Sequence, residues 1–385
     1  MNTHSRFSQS LLFIMISSIG GFLLSLTGIG IAWMLGTIIL AAILNFRQPK
    51  FLKSADAAKG LPPYWLRIGQ AVLAIEMGQK LNSSVFATFS EHFLTVSFML
   101  LISIALSLGS GYILWKFTKT DLLTSLFATA PGGVATMPGI AEEVGANTAV
   151  VSIIQTLRIF VVVLTIPLIA SSWLTAPEGQ ILVSTSGAEA NITEFGLASL
   201  IGTFLLGAAA YGGYHAGKLL RLPAPWLVGG MLGVAALQSI YSFFTGHGIV
   251  AWWPDPIIIF SQIIIAASIG SRFQTHMFTG IGKTVLVSLL STIGLVAAMF
   301  GCAFAVSKIT GISFITSVLA FAPGGVAEMA ATAVVLHADA TFVVAVQVLR
   351  IVFVLLVLPP LFRAFNRRKI KQLPQEEVLV KKFIK

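Results

Sequence analysis

Apolar residues run through this chain in long blocks rather than in strict alternation, and the blocks form two matching series. In the first half they cover roughly 10–27, 30–46, 64–82, 93–115, 121–144 and 148–171; in the second, 196–216, 224–244, 256–271, 284–306, 313–336 and 341–362. Most approach the about 20 residues that a helix needs to cross a bilayer core, so the pattern predicts membrane-spanning helices. The fifth block of each half is interrupted by the run Ala-Pro-Gly-Gly-Val-Ala, at Ala130 to Ala135 and again at Ala322 to Ala327. Proline lacks an amide donor and paired glycines favour unwinding. Broken backbone survives at membrane depth only where protein or a water-filled cavity satisfies it.

The recurrence is not confined to that run. An offset of 192 carries Thr124-Ser125 onto Thr316-Ser317, Pro131-Gly132-Gly133 onto Pro323-Gly324-Gly325, and Met137 onto Met329. It also carries Gln155, Leu157, Arg158 and Ile159 onto Gln347, Leu349, Arg350 and Ile351, and Gln70, Ala74 and Gly78 onto Gln262, Ala266 and Gly270. Landmarks repeating in one order mean a duplication of the whole chain. The expected organisation is repeat A over 1–171, an external connector over 172–194, repeat B over 195–362 and a basic cytoplasmic tail over 363–385.

The interrupted block either crosses as a broken helix, giving parallel repeats, or enters and leaves on one side as a re-entrant hairpin, giving inverted repeats. Basic residues accumulate in cytoplasmic loops and so distinguish the two. With the amino terminus inside and the hairpins re-entrant, 20 of the 24 lysines and arginines fall on the cytoplasmic side. Lys80 and Lys308 fall outside, and Arg158 and Arg350 lie within spans. The crossing alternative would move Lys218, Arg221, Arg272 and Lys283 outside. Inverted repeats fit better: an all-α integral membrane protein, each half having five transmembrane helices plus one re-entrant or broken helical hairpin. Both termini are then cytoplasmic in a multi-pass protein of the cell's inner membrane.

Composition agrees. The chain is 56% hydrophobic and 10% charged, with a mean hydropathy of +0.91, which excludes a soluble globule of 385 residues. Ser10 to Thr27 has a thin positive flank and no small-residue cleavage site, so it reads as an uncleaved span. Cys302 is the sole cysteine, which leaves no disulfide framework and no thiolate metal cluster. The tail from Arg363 to Lys385 supplies much of the net charge of +10 and suits anionic lipid headgroups better than nucleic acid.

Candidate chemistry lies at the midplane. Arg158 and Arg350 sit near the centres of their spans, where a charge costs at least about 2.5 kcal/mol and requires a partner or a function. Either the two guanidinium groups hold an anionic solute, or each caps the carbonyls of the first hairpin arm and braces the tip. Both roles are compatible. Gln155 and Gln347 precede the arginines by three residues and share their helical face, and Gln70 and Gln262 form a second symmetric pair. For the glutamines, interhelical hydrogen bonding is the plain alternative to solute binding. Gly132, Gly133, Gly324 and Gly325 bring freed backbone to the same depth. Glu76 and Glu328 lack acidic counterparts, facing Ser268 and Thr136 across the repeat; they either couple a proton or sodium ion or neutralise the arginines. No metal or cofactor site is expected.

The doubled Ala-Pro-Gly-Gly-Val-Ala run, each copy followed by Gln-x-Leu-Arg-Ile and then a proline, resembles the AbrB family of bacterial membrane proteins, over nearly the whole chain. Members carry labels of regulator of gene expression or, in some cases, ammonia monooxygenase, and the name is shared with an unrelated small DNA-binding regulator. The residues oppose an oxygenase, because His4, His92, His215, His247, His276 and His337 are scattered rather than clustered as metal ligands. A direct transcription factor is equally unsupported, with no basic domain outside the spans. The expected function is a non-enzymatic secondary transporter of a small, anionic solute, working within the lipid bilayer; homo-oligomers are compatible with it. The alternative is a membrane-embedded sensor that affects gene expression indirectly.

Overall fold

The computed structural model describes residues 3–28, 31–47, 60–81, 90–132, 137–174, 196–273 and 281–354. Gly133, most of the connector and the basic tail lie outside them. All regular structure among the described residues is helical. The first half contains α1 (Thr3–Ser25), α2 (Ala32–Arg47), α3 (Pro63–Lys80), α4 (Phe93–Phe117), α5 (Leu122–Thr129), α6 (Met137–Glu143) and α7 (Thr148–Leu174). The second contains α8 (Leu197–Leu219), α9 (Val228–Thr245), α10 (Asp255–Gly270), α11 (Gly282–Thr310), α12 (Phe314–Phe321), α13 (Val326–Val335) and α14 (Ala340–Val354). Seven helices thus answer seven, and α5 and α12 have bounds that differ by the sequence offset itself.

Six of these helices, α1, α4, α7, α8, α9 and α11, are long and apolar enough to cross a membrane. The sequence expects ten crossings. α2 has 16 residues, about 24 Å of helix, and α10 is equally short, so neither reaches full bilayer thickness by length alone. α14 is described only as far as Val354.

Within each half the first two helices cross at a glycine pair. A methyl group added to Gly20 would strike the carbonyl of Gly36, and one added to Gly36 would strike that of Gly20. Gly213 and Gly229 repeat the contact between α8 and α9. Apolar side chains gain little by leaving lipid for protein, so membrane helices associate through such close approaches and the dispersion contacts they allow.

The halves interlock reciprocally. Gly270 of α10 sits on the Ile38 carbonyl and Ala41 of α2, while Gly78 of α3 sits on the Met231 carbonyl and Val234 of α9. Two further contacts join a helix to its own counterpart. α4 meets α11 where Ser110 and Ser291 share a 2.6 Å hydrogen bond. Thr118 and Lys119, just past the end of α4, border one cavity with Ile281 and Lys283 at the start of α11. α4 and α11 therefore run antiparallel. α3 and α10 do the same: Gly69 packs on Ile265 and the Ser261 carbonyl, and the Leu61 amide ahead of α3 donates to Ser271 Oγ beyond α10 at 2.9 Å. The largest apolar cluster is shared between halves, drawing Leu73 and Met77 from α3, Val162 from α7, Phe321 from α12 and Phe342 from α14.

The glycine crossings generate a prediction. Gly36→Leu and Gly229→Leu should each lower the thermal midpoint of the detergent-purified protein by several degrees, an overpacking cost of about 1–3 kcal/mol. Gly207→Ala, where an added methyl meets nothing within 4 Å, should leave the midpoint unchanged or slightly higher.

Candidate functional site: two helical tips and the arginines behind them

Each hairpin starts with a capped helix. Asp121 accepts from the Thr124 amide at 2.9 Å and from Thr124 Oγ1 at 2.5 Å; Ser313 accepts from the Thr316 amide at 3.2 Å. The same threonine closes the hairpin. Thr124 Oγ1 accepts from the Asn147 amide at 2.9 Å, and Thr316 Oγ1 from the Asp339 amide at 3.2 Å. The bonded residues are 23 apart in each case, which a continuous helix would separate by about 35 Å. Both segments therefore fold back, with the Pro-Gly-Gly runs at the turn.

The fold-back leaves the C-terminal carbonyls of α5 and α12 at the tip, carrying the partial negative charge of a helix end. The next long helix satisfies them. Gln155 Nε2 donates to the Phe127 and Ala130 carbonyls, both at 2.9 Å. Arg158 Nη1 donates to those of Thr129 at 2.7 Å and Ala130 at 3.1 Å, and its Nη2 to Gln155 Oε1 at 2.7 Å. In the second half, Gln347 Nε2 donates to the Leu319 and Ala322 carbonyls at 2.9 and 3.1 Å. Arg350 Nη1 donates to the Ala322 carbonyl and Nη2 to that of Gly324 at 2.9 Å. The halves differ here: Arg350 reaches further into the tip, leaving Gln347 Oε1 without a hydrogen bond, whereas Arg158 turns back to its glutamine.

Both arginines are buried, at 3% and 2% exposure. Neither forms an ion pair with a carboxylate among the described residues, and the Nε of each makes no hydrogen bond there.

Gly132 and Gly324 leave room for Met137 and Met329, whose flexible side chains pack where an added methyl would go. At Gly325 the obstacle is the carboxylate of Glu328, which folds back over the tip from the first turn of α13. Glu328 is buried. Glu76 is buried too but pairs with Lys80, one turn further along α3, at 2.5 Å, rather than with an arginine. Gln70 is half-buried and Gln262 buried on the antiparallel pair α3 and α10, both of which touch α13. Neither glutamine has a side-chain hydrogen bond among the described residues.

Two pairs of participants are absent from the candidates drawn from the sequence: the closing threonines Thr124 and Thr316 and the packing methionines Met137 and Met329. Both pairs recur at the same offset as the arginines, which is the signal that marks them.

The fold and these tips define a membrane protein made of two copies of one helical unit, each copy ending a broken helix on a buried Gln–Arg pair. The chain belongs to the AbrB family: residues 33–366 match the family model described as "Transition state regulatory protein AbrB". A Bacillus subtilis (strain 168) protein named "Uncharacterized protein YhjN" is 48% identical over 366 residues, covering 95% of both chains. An Escherichia coli (strain K12) protein named "Putative regulator AbrB" is 27% identical over 334 residues, 86% of this chain and 89% of that one.

Removing one brace should loosen one tip. Gln155→Leu removes one donor from each of the Phe127 and Ala130 carbonyls, a loss of about 1–3 kcal/mol in all, so amide exchange around the C-terminal turn of α5 should rise several-fold or more. Gln238→Leu, which disturbs only the bonds to Ile249, should leave the tip unaffected.

Proposed function

We propose that the protein is a secondary transporter of a small anionic solute, built as two inverted repeats with a re-entrant hairpin in each. The observation that carries the anion is the pair Arg158 and Arg350: two buried cations, equivalent in the two halves and without a carboxylate partner among the described residues. Like charges in a low-dielectric interior attract an anion strongly. Gln70 and Gln262, on the helices α3 and α10 that touch α13, would add neutral polar groups to such a site.

Support for inversion comes from the antiparallel run of equivalent helices. Counterparts related by an axis along the membrane normal would point the same way, whereas an axis in the membrane plane reverses them. Folding back each hairpin leaves five crossings per half, an odd number, as the reversal requires. The basic-residue distribution then puts both termini on the cytoplasmic side of the cell membrane. Rocking of one repeat against the other would expose the central site to each face in turn. No phosphate-binding loop pattern occurs in the chain, so an ion gradient is the proposed energy source. Of the two coupling-ion candidates, Glu328 is favoured, since Glu76 is already neutralised by Lys80.

The name of the Escherichia coli relative favours a second reading, a membrane-embedded solute sensor that alters gene expression through a partner. Transport is tested in proteoliposomes with small carboxylates, phosphate and sulfate. At least one should enter with the wild-type protein and fail to enter with Arg158→Lys or Arg350→Lys, variants that keep the charge but not the fork of donors. If none moves, while a null strain changes expression of a defined gene set, the sensor reading stands instead.

Inversion has its own test. In a Cys302→Ala background, single cysteines at Gly187 and Gly248 should react with an impermeant thiol reagent applied outside intact cells. Labelling only after lysis overturns the arrangement.

A further inference from the structure

We propose that the groove between α4 and α11 is a binding site for one anionic phospholipid, with its acyl chain along the groove and its phosphate at Lys283. The site lies apart from the arginines and does not depend on the transport reading.

The groove has a volume of about 730 Å³ and is lined almost wholly by carbon, from Ala105, Gly109 and Ile113 on α4 and from Leu290, Gly294 and Ala298 on α11. It exists because two glycines face it: an added methyl on Gly109 or Gly294 would meet nothing within 4 Å. The bonded pair Ser110 and Ser291 holds the two helices together beside it. Ile113, Phe117 and Leu290 are 44%, 55% and 60% exposed, so the groove opens onto the outer, apolar surface of the bundle.

At one end the chemistry changes. Lys283 borders the apolar groove and also a second cavity of about 500 Å³, lined by Thr118, Lys119, Thr120, Asp121 and Thr284. Asp121 also lines this cavity, with its carboxylate turned to the cap of α5, and together with Lys119 and Lys283 it leaves a net positive charge there. α11 begins at this point without a side-chain cap, and a free helix start favours negative charge. An acyl-lined slot open to lipid that ends at two lysines and a row of hydroxyls, level with the helix ends, matches an anionic lipid from tail to headgroup.

The test uses the delipidated full-length protein in detergent, with phosphatidylglycerol and phosphatidylcholine as probes, read by thermal midpoint and by native mass spectrometry. Phosphatidylglycerol should raise the midpoint by several degrees and remain bound as one lipid per chain, and phosphatidylcholine should do neither. Lys283→Gln should weaken phosphatidylglycerol binding about tenfold while leaving the lipid-free midpoint unchanged; Lys218→Gln, a basic residue at the end of α8, should not. Gly294→Leu should abolish retention by filling the slot, and Gly109→Leu serves the same purpose if that variant does not fold. Equal binding of the two lipids, or phosphatidylglycerol binding indifferent to both Lys283→Gln and the leucine variants, overturns the proposal. So does a lipid-free dimer that the leucine variants dissociate, which would make a second copy of the chain the occupant.

Discussion

A helix that ends inside a membrane leaves carbonyls with no water to bond, and the structure is organised around that constraint. Each unpaired backbone group in hydrocarbon costs several kcal/mol. Four sit at the end of a helix. α5 and α12 both end this way. In each half one glutamine and one arginine from the following long helix donate to these carbonyls, so α7 and α14 owe their position to the tips as much as to apolar packing. The arrangement also accounts for the polarity of the donors: a guanidinium offers five N–H groups and no acceptor, which suits a cluster of oxygens better than any neutral side chain.

Duplication turns this local solution into a central feature. The contacts of α3 with α10 and of α4 with α11 join equivalent helices head to tail, and the reciprocal seats of Gly78 and Gly270 tie each to the other half. Each arginine is nonetheless explained locally by its own tip. The symmetry is not complete. Arg350 bonds to Gly324, and Arg158 turns back to Gln155; Glu328 folds over the second tip, and Thr136 stands in its place in the first. Such differences give the halves different energies for the same movement.

Much of this was legible in the sequence, because the features that set it are local and repeated. The Pro-Gly-Gly run marks a break that no membrane helix tolerates unsupported, and the offset of 192 names its second copy and the donors that follow. The bounds of α5 and α12 follow the same offset. What periodicity could not supply is partner choice across space. Glu76 lies four residues before Lys80, a spacing that pairs charges on any helix, yet a buried acid among midplane arginines draws attention to the more distant cations. The groove between α4 and α11 is likewise invisible in sequence, since a glycine reads alike whether it faces a neighbour, as Gly36 does, or open space, as Gly294 does.

Bracing and binding make opposite demands on the same guanidinium, and this bears on how the proposed transporter would work. Both Nη atoms of Arg350 and Nη1 of Arg158 are committed to tip carbonyls, Nη2 of Arg158 is committed to Gln155, and among the described residues only Nε of each is without a bond. An anion approaching either arginine must share those donors or take them over. Taking them over returns the carbonyls of α5 or α12 to an unsatisfied state, a cost that falls if the tip moves toward water. Solute binding and tip movement are then one equilibrium rather than two, since a ligand shifts a conformation only by the difference in its affinity for the two states. The two tips are held by equal numbers of bonds and differ in reach: Arg158 stops at Ala130 and ties itself to Gln155, whereas Arg350 extends to Gly324, so an anion at Arg350 competes directly with the backbone of the Pro-Gly-Gly turn.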